Sequence, residues 1–116
     1  VLIVDDEPGN IKLLSVLLRH ADWTVLAAYD PHEARRLLRV IAPDVVIVGL
    51  RLERTGGLLH ELHSRAIPLV VVTASDDAGT AQMARSAGCR AYVRTPVDVT
   101  TFAATIARAQ TVEARS

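Results

Sequence analysis

Three acidic residues in a row, Asp5, Asp6 and Glu7, close the apolar run VLIV at the start of the chain. Adjacent carboxylates at the end of a buried segment need a cation to stay ionised, so the acidic pair Asp5 and Asp6 points to a divalent metal or to a basic partner. Three other apolar runs end in residues suited to the same neighbourhood. DVVIV at 44–48 runs into Gly49, Arg51 and Arg54; PLVVV at 68–72 runs into Thr73; RAYV at 90–93 runs into Arg94 and Thr95. Nucleophilic catalysis is not indicated, because no nucleophile has a base beside it and His20, His32, His60 and His63 are scattered along helical segments. His60 and His63 share a helical face, but no Cys or His elsewhere completes a zinc set. The chain is therefore expected not to be an enzyme, and no cofactor is expected beyond a metal ion on Asp5 and Asp6.

The elements that must position these residues are legible in the hydrophobic pattern. VLIV (1–4), TVLAA (24–28), DVVIV (44–48), PLVVV (68–72) and RAYV (90–93) are continuous apolar runs, the pattern of strands covered on both faces. Helical stripes lie between them: Ile11, Leu14, Leu17 and Leu18; Ala34, Leu37, Leu38 and Ile41; Leu58, Leu59 and Leu62; Met83, Ala84 and Ala87; and Phe102, Ile106 and Ala109. Asp30-Pro31 and Asp98 read as helix starts, and Pro43, Pro68 and Gly88 as helix-to-strand breaks. Five βα units in tandem predict an α/β fold, a doubly wound five-stranded parallel sheet of the flavodoxin-like (βα)5 type. In such sheets function gathers at the carboxyl ends of the strands. Asp44, five residues before Gly49 at ~3.3 Å each, falls about 16 Å away at the opposite end.

Composition narrows the class. The 116 residues suffice for one domain, spanning 1–116, and 13 basic residues balance 13 acidic ones, so electrostatics nominates neither nucleic acid nor anionic membrane as partner. No apolar run approaches the ~20 residues that span a bilayer, and VLIVDDE lacks a signal-peptide pattern, so a cytoplasmic domain is expected. Val1 already belongs to a strand, and the chain is expected to be a fragment of a longer protein. Cys89 is the sole cysteine, which excludes an intrachain disulfide and reads as a small, partly buried, inert residue. Lys12 is the sole lysine beside twelve arginines, a composition expected of a GC-rich bacterial genome. Trp23 reads as a cap over the lower rim of the sheet.

The stretches VLIVDDEPGN (1–10), PDVVIVGL (43–50), IPLVVVTA (67–74) and AGCRAYVRTPVD (87–98) together resemble the receiver domain of two-component response regulators, over essentially the whole chain. The resemblance implies phosphorelay signalling, with a phosphoryl group taken onto an aspartate beside magnesium. By the same resemblance Asp5 and Asp6 match the acidic metal-binding pair, Thr73 the hydroxyl that reads the phosphate, and Tyr92 the aromatic that swings inward on activation. Two positions depart from it. Gly49 stands at the phosphoacceptor aspartate and Thr95 at the lysine, which implies a pseudo-receiver that has lost the reaction. Glu53 is the substitute acceptor to weigh, although a third carboxylate there would be repelled.

The departures lead to specific expectations. An arginine, Arg51 foremost with Arg54 and Arg94 at the border, is expected to replace the metal and lysine charges by a fixed ion pair with the acidic pair. Without phosphate to pull Thr73 inward, Tyr92 is expected to pack statically on the fourth helix. The leading function is a phosphorylation-independent interaction module that dimerises or contacts a protein partner or fused output domain. The resemblance implies that it does so through the fourth helix, fifth strand and fifth helix, a face expected to include Met83, Ala84, Ala87, Arg90, Arg94, Phe102 and Ala103, with Arg85, Arg90 and Arg108 exposed. The alternative is a small-molecule sensor using the emptied pocket. A flavin reading is weaker, because no Ser/Thr/Gly-rich phosphate loop follows the first strand and the acids there would repel a phosphate.

Overall fold

The computed structural model describes residues 1–49, 51 and 54–111. It contains five strands, β1 (Leu2–Val4), β2 (Leu26–Ala28), β3 (Val46–Val48), β4 (Leu69–Thr73) and β5 (Ala91–Arg94). They alternate with α1 (Pro8–His20), α2 (Pro31–Leu38), α3 (Leu58–Ser64), α4 (Ala78–Ser86) and α5 (Phe102–Thr111). All pairings are parallel, in the order β2-β1-β3-β4-β5. This is the expected doubly wound sheet, and its order reverses between β1 and β3, the point at which such sheets open a crevice at their carboxyl edge.

Alternation along each strand splits the core into two layers. Leu2, Val4, Val46, Val48, Leu69 and Val71 face α2, α3 and α4, where Ala34, Leu38, Leu58, Leu62 and Ala84 meet them. Ile3, Ile47, Val70 and Val72 face α1 and α5, meeting Ile11, Leu14, Leu18, Phe102, Ile106 and Ala109. Because both faces are covered, β1 and β3 are apolar and buried throughout, and β4 is so up to Val72, while Arg94 at the end of β5 is exposed. Ile47 is fully buried at the sheet centre, so Ile47→Ala should cost ~2–5 kcal/mol.

Local signals set the helix ends. Asp30 accepts a hydrogen bond from the Glu33 amide at 2.7 Å while the Glu33 side chain accepts from the Tyr29 amide at 2.6 Å, a reciprocal cap that starts α2 at Pro31. Asp98 caps a turn and not α5 itself, which begins four residues later at Phe102. Its Oδ1 accepts from the Thr100 amide and its carbonyl from the Phe102 amide, so a turn precedes α5. The α2 stripe also ends short of Ile41, because the helix stops at Leu38. Gly88, at φ 76°, turns the chain from α4 into β5 in the left-handed region that glycine enters without penalty. Trp23 is half-buried and packs against the α1/α5 layer, and Cys89 is half-buried against the other.

Candidate functional site

Register decides which residues meet. Val4 pairs with Val48, so Asp5 and Gly49, each one residue further on, lie side by side at the carboxyl edge. The Gly49 amide donates to the Val4 carbonyl at 2.8 Å and the Asp5 amide to the Ala28 carbonyl at 3.0 Å, fixing both backbones. On the far side Thr73 pairs with Arg94, and the Thr95 amide donates to the Thr73 carbonyl at 2.9 Å. The Thr95–Pro96 peptide bond is cis.

These strand ends surround a cavity of about 490 Å³ lined by Asp5, Asn10, Gly49, Arg51, Thr73 and Thr95, with Ser75, Asp77 and Thr80 on the α4 side. Asp5 is 2 % exposed. Its Oδ1 accepts from the Glu7 amide at 2.9 Å, and its Oδ2 lies in the space above Gly49. A Cβ on Gly49 would stand well inside contact distance of that oxygen and 2.9 Å from the Asp5 carboxyl carbon. Burial pushes the Asp5 carboxyl above the ordinary carboxylate range, opposed by hydrogen bonds from the Glu7 amide and Asn10 and reinforced by the charges of Asp6 and Glu7. The hydroxyls opposite are tied into the β4–α4 turn: Thr73 Oγ1 accepts from the Ser75 amide at 3.0 Å, and Ser75 Oγ bonds Thr80 Oγ1 at 3.3 Å.

The arginines are arranged differently from the expectation. Among the described residues the ion pair to the acidic pair is made by Arg54, whose Nη1 lies 3.4 Å from Asp6 Oδ2, and not by Arg51. The reason is reach: Asp6 points outward and is exposed, so the arginine three residues further along the loop meets it in solvent, while Arg51 lines the cavity beside buried Asp5. Arg94 instead approaches Asp76 at 4.0 Å. The Arg54–Asp6 pair is solvent-exposed on both sides and contributes little stability. Glu53 lies outside the described residues.

As the side chains stand, the acidic pair does not offer a magnesium ion two carboxylates that face one point. Such an ion takes an octahedral set of oxygens, usually including carboxylates that face one point. Here Asp5 is turned toward Gly49 and the Glu7 amide, and Asp6 toward Arg54.

Tyr92 packs with Ala87 and Cys89 against the α2/α3/α4 layer, and its hydroxyl is buried with no hydrogen-bond partner among the described residues. Sequence reasoning missed this orphaned oxygen, since only packing reveals it. The expected interaction face needs correction. Phe102 is 2 % exposed and Ala84 fully buried, because the stripes that made them helical positions also turn them toward the sheet. Ala87 and Ala103 are half-buried against the core, and Arg90 is half-buried, donating to the Ala109 and Gln110 carbonyls at the end of α5. Met83, at 46 % exposure, and Arg85, Arg94 and Arg108 remain on the surface. The four histidines are exposed on α1, α2 and α3.

Comparison with known proteins agrees with this architecture. Residues 1–107 match the family described as the response regulator receiver domain. The chain is 34 % identical over 103 residues to the probable transcriptional regulatory protein TcrX of Mycobacterium tuberculosis, covering 85 % of this chain and 44 % of TcrX. It is 30 % identical over 112 residues to the polar-differentiation response regulator DivK of Brucella anthropi, covering 91 % of each. The chain thus spans less than half of one curated relative and nearly all of another. Among solved structures, a CheY-like receiver domain protein from Methanospirillum hungatei superimposes with a TM-score of 0.84 at 19 % identity, over 94 % of this chain and 90 % of that one. NtrX from Brucella abortus superimposes with a TM-score of 0.85 at 23 % identity, over 94 % of this chain but 26 % of NtrX. No helix among the described residues is long and apolar enough to cross a membrane. On the family match and the shared fold together, the chain belongs to the response regulator receiver domains of signal transduction.

Proposed function

We propose that this receiver domain does not carry phosphate and signals by binding protein partners, without enzymatic activity of its own. The observation that carries the reading is the packing of the Asp5 carboxylate above Gly49, the residue standing where the resemblance requires an acceptor. A glycine offers no side-chain oxygen to phosphorylate, and Asp5 Oδ2 is turned into the glycine's empty side. Thr95 offers no ammonium to offset a phosphoryl charge. A fused output domain is one class of partner, in keeping with the greater lengths of TcrX and NtrX. The contact surface is what remains exposed of the α4–β5–α5 face, with Met83 as its apolar point and Arg85, Arg94 and Arg108 orienting the partner by charge.

Intact mass after incubation with acetyl phosphate and magnesium tests this, beside a Gly49→Asp, Thr95→Lys double variant. The expected result is an unmodified native chain and a labelled variant. A phosphoryl adduct on the native chain would sink the reading, with Glu53 the first residue to examine.

A second reading is favoured by the cavity itself. Its volume and mixed lining suit a small molecule at the sheet's switch point, so that ligand rather than phosphate would bias the domain.

A further inference from the structure

The cavity above Asp5 does not end at Thr95. A groove of about 340 Å³ adjoins it, lined by Leu13 and Leu14 of α1 and by Pro96 and Val97 after β5, and the two share Asn10, Val72 and Thr95 as a common wall. The first lobe, mixed in its lining, carries the polar groups: the Asp5 carboxylate and the residues Thr73, Ser75, Thr80 and Thr95. The second is apolar, and Leu13 at its mouth is 44 % exposed. Thr95 stands between them, and a longer side chain there would project into one lobe or the other.

The charges indicate what the polar lobe accepts. Asp5 is almost fully buried, yet among the described residues no cation pairs with it. Asp77 and Arg51 also line this lobe, Arg51 as an exposed residue with no ion pair to Asp5 among the described residues. A desolvated carboxylate without a cation is costly, and a ligand ammonium with three donors would pair with it and reach the neighbouring hydroxyl oxygens. The apolar lobe would then take a hydrocarbon tail, each buried methylene adding ~0.8 kcal/mol of transfer free energy.

We propose that the two lobes form one site for a small primary amine bearing a short apolar tail, with its ammonium at Asp5 and its tail between Leu13 and Val97. This rests on the second reading above, that the pocket takes a small molecule, and adds the class of ligand.

Amide-resolved NMR titration of the native chain at constant pH and ionic strength tests it, with pentylammonium, methylammonium, pentanol, pentanoate and magnesium chloride as separate probes. Pentylammonium should shift the Asn10, Leu13, Gly49 and Thr95 amides saturably, and methylammonium should bind at least ~10-fold more weakly for want of a tail. Asp5→Asn should weaken pentylammonium at least ~10-fold by removing its ionic partner. Leu13→Asn, a change at the mouth of the apolar lobe that adds no charge, should weaken pentylammonium through its tail while methylammonium, which has none, keeps its affinity. Saturation by pentanol or pentanoate as tight as by pentylammonium would overturn the amine assignment while the small-molecule reading stood. The same shifts with magnesium chloride would overturn it as well, since charge alone would explain them. Silence from every probe would overturn both.

Discussion

The Asp5 carboxylate fills the space in which a Gly49 side chain would begin. No positive φ requires glycine at 49, in contrast to Gly56, Gly57 and Gly88, so what a Cβ would meet there is the neighbouring carboxylate.

That relationship predicts coupling between the two positions. Gly49→Ala should destabilise the native chain by ~1–3 kcal/mol, the range for overpacking, because Asp5 must leave its pocket. In an Asp5→Ala background the same change should cost little. Urea denaturation of the four chains of this double-mutant cycle measures the coupling, and additive effects would show that the two side chains do not share the space.

Burial of Asp5 predicts a pH dependence of definite sign. Its folded pKa is raised, so the folded state holds this proton more tightly than the unfolded chain. The resulting stabilisation is fully present below the unfolded carboxyl value of about 3.9 and is lost as pH rises through the folded value. Asp5→Asn should remove this component, so that the variant gains on the native chain as pH rises from 4 toward neutrality. Thermal unfolding of both chains across that window gives the difference, and parallel curves would contradict it.

The unpartnered Tyr92 hydroxyl predicts that Tyr92→Phe is stabilising or neutral. Removing a buried oxygen without a partner relieves a desolvation penalty of ~1–3 kcal/mol and leaves the ring packing in place. A loss of more than about 1 kcal/mol in urea unfolding would mean the hydroxyl is satisfied in solution.

Cys89 should react sluggishly. Burial pushes its thiol pKa up, with Arg85 opposing, so little thiolate forms near neutral pH. Labelling with Ellman's reagent at pH 8 should proceed faster after urea unfolding than before, and equal rates would contradict this.

Much of this domain was legible in its residues. Continuous apolar runs from Leu2 to Val4, Val46 to Val48 and Leu69 to Val72 demand cover on both faces, which only a parallel sheet between helices provides. Asp30-Pro31 and Gly88 announce local conformations whose causes lie within a few residues, and the structure places a helix start and a turn there. The doublet Asp5-Asp6 and the glycine at 49 mark the strand ends as the site because topology brings those ends together.

Tertiary structure alone decided the rest. Which way Asp5 leans depends on its register beside Gly49, a contact across 44 residues of chain that no local pattern encodes. The pairing of Asp6 with Arg54 rather than Arg51 depends on the path of a loop. Phe102 reads equally well as core or surface in a helical stripe, and only the docking of α5 on the sheet turned it inward. The orphaned Tyr92 hydroxyl and the two adjoining lobes beside Thr95 are properties of packed space, and packing is set by all neighbours at once.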